Sequence, residues 1–522
     1  NEGTGIGGQD ITVVGANAGK MMQQNPHRTP LFGASAGAAL NVGLENTFIG
    51  ALAGYSLTTA DRNVFLGTYA GYATVDVDNA VIIGYKAGYA NMTSGADGTV
   101  AIGYEASYAL TSGANQVSIG YQAGKALTTA ANSVFIGYQA GLEHTGGNNV
   151  AIGDRAFAST NAGSNSLAST KNVAIGNFAL GGTFTDAQVD GTVAIGYYAL
   201  GSATMGGLDY NVAIGYESQY SNGGGQNVTI GANTMRIADG TESGNVAIGT
   251  SVMDVLNNDG SDYNTVVGNY AVRGGTGVIS HNTVMGYQGM DQVGNHSSIK
   301  NTFIGYDAGG GAYAGDVTGN VGIGYQSLHG LMNGANYNVA LGYVALSVVT
   351  TGDTNIGIGV SAGTDITTGS DNTIVGSQAG VLMTTTSNTV LIGKSTGAAI
   401  NSADADGTIA IGYEAGKSIT HGLKNMAIGY QALQSATAND FNTAIGYTAL
   451  YSISGSDGAE GESNTAVGYR AGYSTTTGNF NDFHGSSAGY ENTTGQSNVM
   501  IGSSAGQNNT IGNSTTASTV TG

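Results

Sequence analysis

Four serines stand in the pattern Gly-x-Ser-x-Gly: Ser35, Ser361, Ser487 and Ser504. In hydrolases that spacing places a nucleophile on a strained strand-to-helix turn, beside a histidine that an acidic residue orients. Here each serine occupies a slot that elsewhere in the chain holds Gln122, Lys86, Glu105 or Gln431. A nucleophile does not share its slot with such side chains, so the four matches read as accidental. Gly3-Thr4-Gly5-Ile6-Gly7-Gly8 spells a dinucleotide-binding fingerprint, yet no strand pattern precedes it and no helix pattern follows. The histidines (His27, His144, His281, His296, His329, His421 and His484) are scattered without metal-ligand spacing. Acidic clusters occur at Asp404/Asp406, Asp259/Asp262 and Asp457/Glu460/Glu462. The last sits in a long spacer where weak calcium binding is conceivable, but none completes a calcium loop with its terminal bidentate Glu. Solvated loop charge is the better reading. Cysteine is absent, which excludes a thiolate zinc site, a cysteine nucleophile and a disulfide framework. No catalytic, cofactor-binding or metal-ligating residue is therefore assigned, no cofactor is expected, and the chain is expected not to be an enzyme.

The composition explains why chemistry is so sparse. Of 522 residues 90 are glycine and only 2 proline, while charged residues make up 9% and hydrophobic ones 41%. Disorder is disfavoured by that hydrophobicity, and collagen by the lack of proline and of a strict three-residue period. The net charge of −20 arises from 34 acidic against 14 basic residues, so neither nucleic acid nor an anionic membrane is an expected partner. No run of about 18 apolar residues exists, and no membrane insertion is expected. Beginning at Asn1, without a signal peptide, the sequence reads as a mature or partial chain.

Elements that could position side chains emerge from self-similarity. A motif near Asn-Val-Ala-Ile-Gly-Tyr-Gln-Ala-Gly recurs from Gly15 to Gly502, with 28 central glycines mostly 17 to 19 residues apart. The longest gaps are Gly153–Gly176, Gly446–Gly468 and Gly176–Gly196, expected to leave the stack as loops. The residue before the glycine is apolar in 27 of 28 copies, His484 being the exception. Val, Thr or Ile nearly always stands two residues earlier, as at Val150, Thr302 and Ile356. Such alternation ending at glycine predicts a short strand and a turn. The Ala in 22 copies at the fourth position past the apolar site, as at Ala123, suits a tight corner. Stacked about 4.8 Å apart, the coils would form a rod on the order of 130 Å long. The predicted fold is all-β: a long β-solenoid (β-helix or β-roll) of about 28 coils of 17–19 residues, one repeat domain over 1–522 with irregular ends at 1–10 and 511–522.

Three rows of side chains carry further expectations. The residue before each glycine, such as Ile304 or Ile411, is expected to fill an aliphatic core. The intervening row (Phe48, Phe65, Ala101, Phe135, Ala174, Phe303) then faces the other way and is never charged. It reads either as a second internal layer or as a chain-to-chain interface, the interface being favoured because long apolar rows usually mark contacts. Asn four before the glycine recurs in 19 copies and predicts stacked amide ladders; Tyr after the glycine recurs in 14 and predicts ring stacking, with carbohydrate contact as the alternative. The Gln122/Glu105 slot is expected to tolerate any side chain.

Asn442-Thr443-Ala444-Ile445-Gly446-Tyr447-Thr448-Ala449-Leu450, and Asn464 to Gly472 followed by Thr475-Thr476-Thr477-Gly478, resemble the tandem repeats of phage tail-fibre and bacterial surface fibre proteins. The Val-Ala-Ile-Gly strands are also similar to head repeats of trimeric autotransporter adhesins, whose period is shorter. This resemblance implies an extracellular virion appendage or cell-surface filament, homo-oligomeric and commonly trimeric, in some cases adhesive. The expected function is a structural fibre whose main partner is itself, with a surface-binding solenoid for glycan or ice as the alternative. Neither end carries an evident cap, so flanking domains or end-to-end stacking are expected.

Overall fold

In a computed structural model the described residues are 10–22, 27–158, 168–184, 188–202, 204–205, 209–221, 224–238, 242–256, 258, 260–455, 460–509 and 518–521. The chain comprises two compact units, Asn1–Tyr263 and Asn264–Gly522. Both repeat one coil, and the fold is an all-β parallel solenoid. Ser94–Ala96 and Ala403–Ala405 are single 3-10 turns. Every one of the 28 motif glycines directly follows a strand, from Val13–Val14 before Gly15 to Asn498–Ile501 before Gly502. Neighbouring strands pair parallel and in register: Val117, Ser118 and Ile119 lie opposite Val134, Phe135 and Ile136. In the second unit Ile409–Ile411 matches Met426–Ile428 in the same way.

The glycine is demanded by the backbone. All 28 have φ between +125° and +146°, a region essentially closed to residues with a Cβ. A Cβ on Gly120 would also run into the carbonyl of Gly137 in the next coil. A tight turn follows, in which the Ala123 amide donates to the Gly120 carbonyl at 3.4 Å. A second turn closes between the Leu127 amide and the Gly124 carbonyl at 3.2 Å.

The faces of the strand are the reverse of the expectation. The middle residue points inward: Phe48, Phe65, Ala101, Phe135 and Phe303 are all fully buried. The flanking residues point outward, so Ile304 and Ile411 are only half-buried and Ile49, Leu66 and Ile501 are exposed. Hence the middle row is the core itself and not a chain-to-chain interface. Its variable size is compensated six residues later. Phe48, Phe65, Phe135 and Phe303 are matched by Gly54, Gly71, Gly141 and Gly309, whereas Ala174, Ala194, Ala340 and Ala427 are matched by buried Leu180, Leu200, Leu346 and Leu433. In these coils one side chain or the other fills the interior, because the stack fixes the volume available.

Amide ladders form as expected, and they lie inside. Asn338, Asn355 and Asn372 are buried; each donates its Nδ2 to the Oδ1 of the Asn one coil earlier, at 3.2, 3.0 and 2.9 Å. The same Oδ1 accepts the next backbone amide, while Nδ2 of Asn355 also donates to the Gly369 carbonyl at 2.8 Å. Thus one buried side chain satisfies donors and acceptors of two coils, which a buried amide requires.

Longer coils gain strands. Thr183–Phe184, within the Gly176–Gly196 spacing, pairs in parallel with Thr204–Met205, so this insertion joins the stack. Ile279–Ser280, Ser298–Ile299 and Val317–Thr318 make a second ladder in the other unit. The loops expected in the Gly153–Gly176 and Gly446–Gly468 spacings fall largely on 159–167 and 456–459, outside the described residues. At the C-terminal tail, expected to be irregular, Ser518–Thr521 adds a parallel strand beside Asn498–Ile501.

Candidate functional site

Three kinds of surface could carry function: the turn slot with its serines, the tyrosine corner and the outward strand face. The slot two residues after the glycine is left-handed throughout, with φ of +57° at Ser35, +54° at Ser361, +56° at Ser487 and +60° at Ser504. Gln122, Lys86, Glu105 and Gln431 share that conformation at +55°, +55°, +52° and +52°. The serines are therefore ordinary turn residues. Ser487 lies three residues after His484, whose Nε2 is 2.6 Å from Oδ1 of Asp482. The three elements of a triad thus occur together in sequence, yet the structure forms no hydrogen bond between Ser487 and His484. Gly3–Gly8 lies outside the described residues.

The slot is not indifferent to its occupant. Gln139 donates to Gln122, and Gln122 to Glu105, each at 3.0 Å, making a surface ladder. Lys125 lies 2.7 Å from the Glu105 carboxylate. Partial burial alone would raise the Glu105 pKa, but the Lys125 ammonium and Gln122 amide outweigh it and hold the carboxyl below its usual range. Glu414 repeats the arrangement, held low by Lys417 at 2.7 Å and Gln431 at 2.8 Å.

Tyrosine stacks along one corner in both units. Tyr104, Tyr121 and Tyr138 stack at 5.0 and 5.2 Å with planes within 10°. Tyr306, Tyr325 and Tyr343 repeat this at 5.2 and 5.1 Å. Inside a stack both faces of a ring are covered by neighbours, and only edges and hydroxyls meet solvent. At a stack end the Arg155 guanidinium lies over Tyr138 at 5.5 Å. Sugar rings bind aromatic faces, so the geometry leaves little of the surface a glycan would use.

The other sequence candidates do not converge. No group of three or more His, Asp or Glu side chains close enough to hold a metal ion occurs among the described residues. Asp406 accepts the Ser387 amide at 2.7 Å, while Ser402 caps the turn by accepting the Asp404 amide and donates its hydroxyl to the Asp404 carboxylate, each at 3.1 Å, so both acids are engaged in local structure. Asp259 and Asp457 lie outside the described residues. His144 is buried with its ring stacked 3.6 Å from that of Phe157, and burial pushes its pKa down to about 3. That histidine is a neutral core residue. Among the described residues no helix is long and apolar enough to cross a membrane.

Sequence reasoning missed the outward strand face. In the first unit, the strands from Thr47–Ile49 to Val246–Ile248 carry no charged residue on either outward row. The same holds in the second unit from Thr265–Val267 to Thr465–Val467. The missed signal is that these rows are nearly uniform in size and have no compensating partner, as an interior row of varying size must. Compared with protein-family models and with characterised proteins, the chain matches none.

Proposed function

We propose that this chain is a non-enzymatic structural fibre protein, the shaft of a virion tail fibre or of an extracellular surface filament, associating with further copies of itself. The observation that carries this reading is uniformity. Strand after strand keeps the same parallel register and the same outward apolar rows, most coils keep the buried amide latch, and among the described residues no coil gathers a convergent polar site. An enzyme concentrates its unusual residues in one place; here unusual residues are spread thinly. An adhesive role and a trimeric assembly belong to the same proposal.

Glycan or ice binding is the second reading, favoured by the tyrosine and threonine rows. Against ice binding, one threonine row outside the strands uses its hydroxyls within the stack, Thr350 donating to the Thr367 carbonyl at 3.0 Å and Thr367 to that of Thr384 at 3.1 Å, and the strand-start threonines alternate irregularly with valine. Electron microscopy of purified protein tests the proposal. Needles or continuous filaments are expected, whereas isolated compact monomers with blunt ends would overturn it. A hydrolase or lyase turnover abolished by one substitution would also do so, and glycan-array or thermal-hysteresis signals would favour the second reading.

A further inference from the structure

The outward strand rows make an apolar face that a lone chain has no use for. Each unit presents twelve consecutive coils whose two outward residues are aliphatic, methionine or threonine, all half-buried or exposed. That amounts to on the order of 1,000 Å² per unit, against roughly 300–600 Å² for the largest apolar patch of a typical monomer. A stable protein complex needs about 800 Å² per partner, so the face is large enough for one. One border is the tyrosine corner, with Tyr104, Tyr325 and Tyr447 at 40%, 41% and 45% exposure. Along the opposite border of the first unit polar side chains pair with one another, Arg28 with Glu45 at 3.0 Å, Arg62 with Asp78 at 3.8 Å and Asn115 with Asn132 at 3.3 Å, whereas in the second unit Tyr337 and Phe441 stand exposed at that position. An apolar strip inside a polar and aromatic rim has the anatomy of a protein contact.

We propose that the occupant of this face is the same face of a second copy of this chain. This rests on the self-associating fibre reading and assigns the surface that performs it. Two arguments select a second copy. First, the covering surface must present apolar ridges every ~4.8 Å over about 50 Å in each unit, a period that an identical ladder matches by construction. Second, the chain carries a net charge of −20, so copies repel one another wherever their acids face. The outward rows are where two copies can meet without opposing like charges.

The test uses the full chain, in sedimentation velocity and native mass spectrometry. Ile304→Lys, Ile358→Lys and Ile411→Lys together place three charges on the outward row of the second unit while lowering the net negative charge. Any loss of assembly then cannot come from greater overall repulsion. We expect the unsubstituted chain to assemble and the triple variant to weaken association at least a hundredfold, with unchanged circular dichroism. Because cysteine is absent, Ile304→Cys provides an independent reading that needs no added charge. It should form a disulfide-linked dimer under oxidation, whereas Thr385→Cys, exposed away from the face, should not. An oligomeric chain whose triple variant assembles equally well, with no crosslink through residue 304, overturns this assignment and leaves the fibre reading standing. A chain that is monomeric at the highest attainable concentration overturns self-association altogether, and flotation with neutral phospholipid vesicles in that case identifies a lipid surface as the occupant instead.

Discussion

Exchanging Phe303 and Gly309 for Ala and Leu should leave the protein nearly as stable as before, although either change alone should damage it. Phe303 is fully buried, and a Cβ placed on Gly309 would lie 2.7–2.8 Å from its ring carbons. Gly322, in the next coil, also yields to that ring, since a Cβ there would lie 2.9 Å from it. Phe303→Ala alone empties roughly 100 Å³, which with the lost transfer energy costs about 3–5 kcal/mol. Gly309→Leu alone forces a side chain into occupied space, at about 1–3 kcal/mol or more. Together they recreate the pairing found at Ala427 and Leu433, where Leu433 is buried and holds φ of +50°, close to the +62° of Gly309. A residual cost of about 1–2 kcal/mol is expected for placing a leucine in the left-handed region.

A stack of coils need not unfold as one unit, so the appropriate assay is native-state hydrogen exchange. Informative amides are Thr302, which donates to Asn320 at 2.8 Å, and Gly305, which donates to Met285 at 2.8 Å. The double-mutant cycle should yield a coupling energy of about 3 kcal/mol or more. If the two costs simply add, the volume-compensation argument is wrong.

His144→Leu should remove an acid sensitivity. An unfolded imidazole titrates near 6.5 while this one titrates at about 3, so between those values the unfolded chain binds a proton that the folded chain refuses. Local stability should therefore fall as pH drops below 6.5, by about 1.4 kcal/mol per pH unit, and the leucine variant should show a flat profile in pH-dependent exchange. Gly305→Ala, at φ of +140° and facing the Gly324 carbonyl, should cost about 3 kcal/mol or more by the same exchange measurement. Aspartate should report the direction of the strand faces: Ala410→Asp, inward and fully buried, should cost several kcal/mol of local stability. Ile411→Asp, outward, should cost about 1 kcal/mol or less; equal effects at the two positions would return the core to the outward row.

The fold is legible in the sequence because two of its constraints act at single positions. Only glycine accepts the backbone at Gly120, and only a small polar side chain satisfies two coils at once at Asn355, so both recur at a fixed spacing. Which face is buried is a property of pairs, and a row inspected alone misleads. Ala174 looks like an unlikely core residue until Leu180 is set beside it, and Ile175 looks like core although it has no compensating partner. The turn slot was obscure for a different reason. Gln122 and Glu105 look interchangeable by type, yet their side chains meet across coils, which no single copy of the motif reveals. The tyrosine stacks were legible as stacks. That stacking covers the ring faces a sugar would need follows from the parallel planes, which spacing alone does not convey.

The coil at residues 482–484 departs from the others in an instructive way. Phe483 still fills the interior and is fully buried, but both outward positions change, to Asp482 and His484, 2.6 Å apart. The internal requirement is kept while the surface is exchanged, so the change concerns what this coil meets and not how it folds. Seating that pair in an apolar contact would strip a carboxylate of water, at several kcal/mol unless the partner compensates it. In water the pair costs little. Two copies meeting through the outward rows should therefore lose their contact beyond Thr465–Val467, leaving this coil solvated beside the interface. Asp482→Val combined with His484→Ile restores the consensus and should lengthen the contact by at least one coil. The expected result is tighter self-association in sedimentation velocity, with unchanged hydrogen-exchange protection around Phe483. If association does not tighten while the variant remains folded, the contact does not run along these rows as far as this coil, and the charged pair does not mark its boundary.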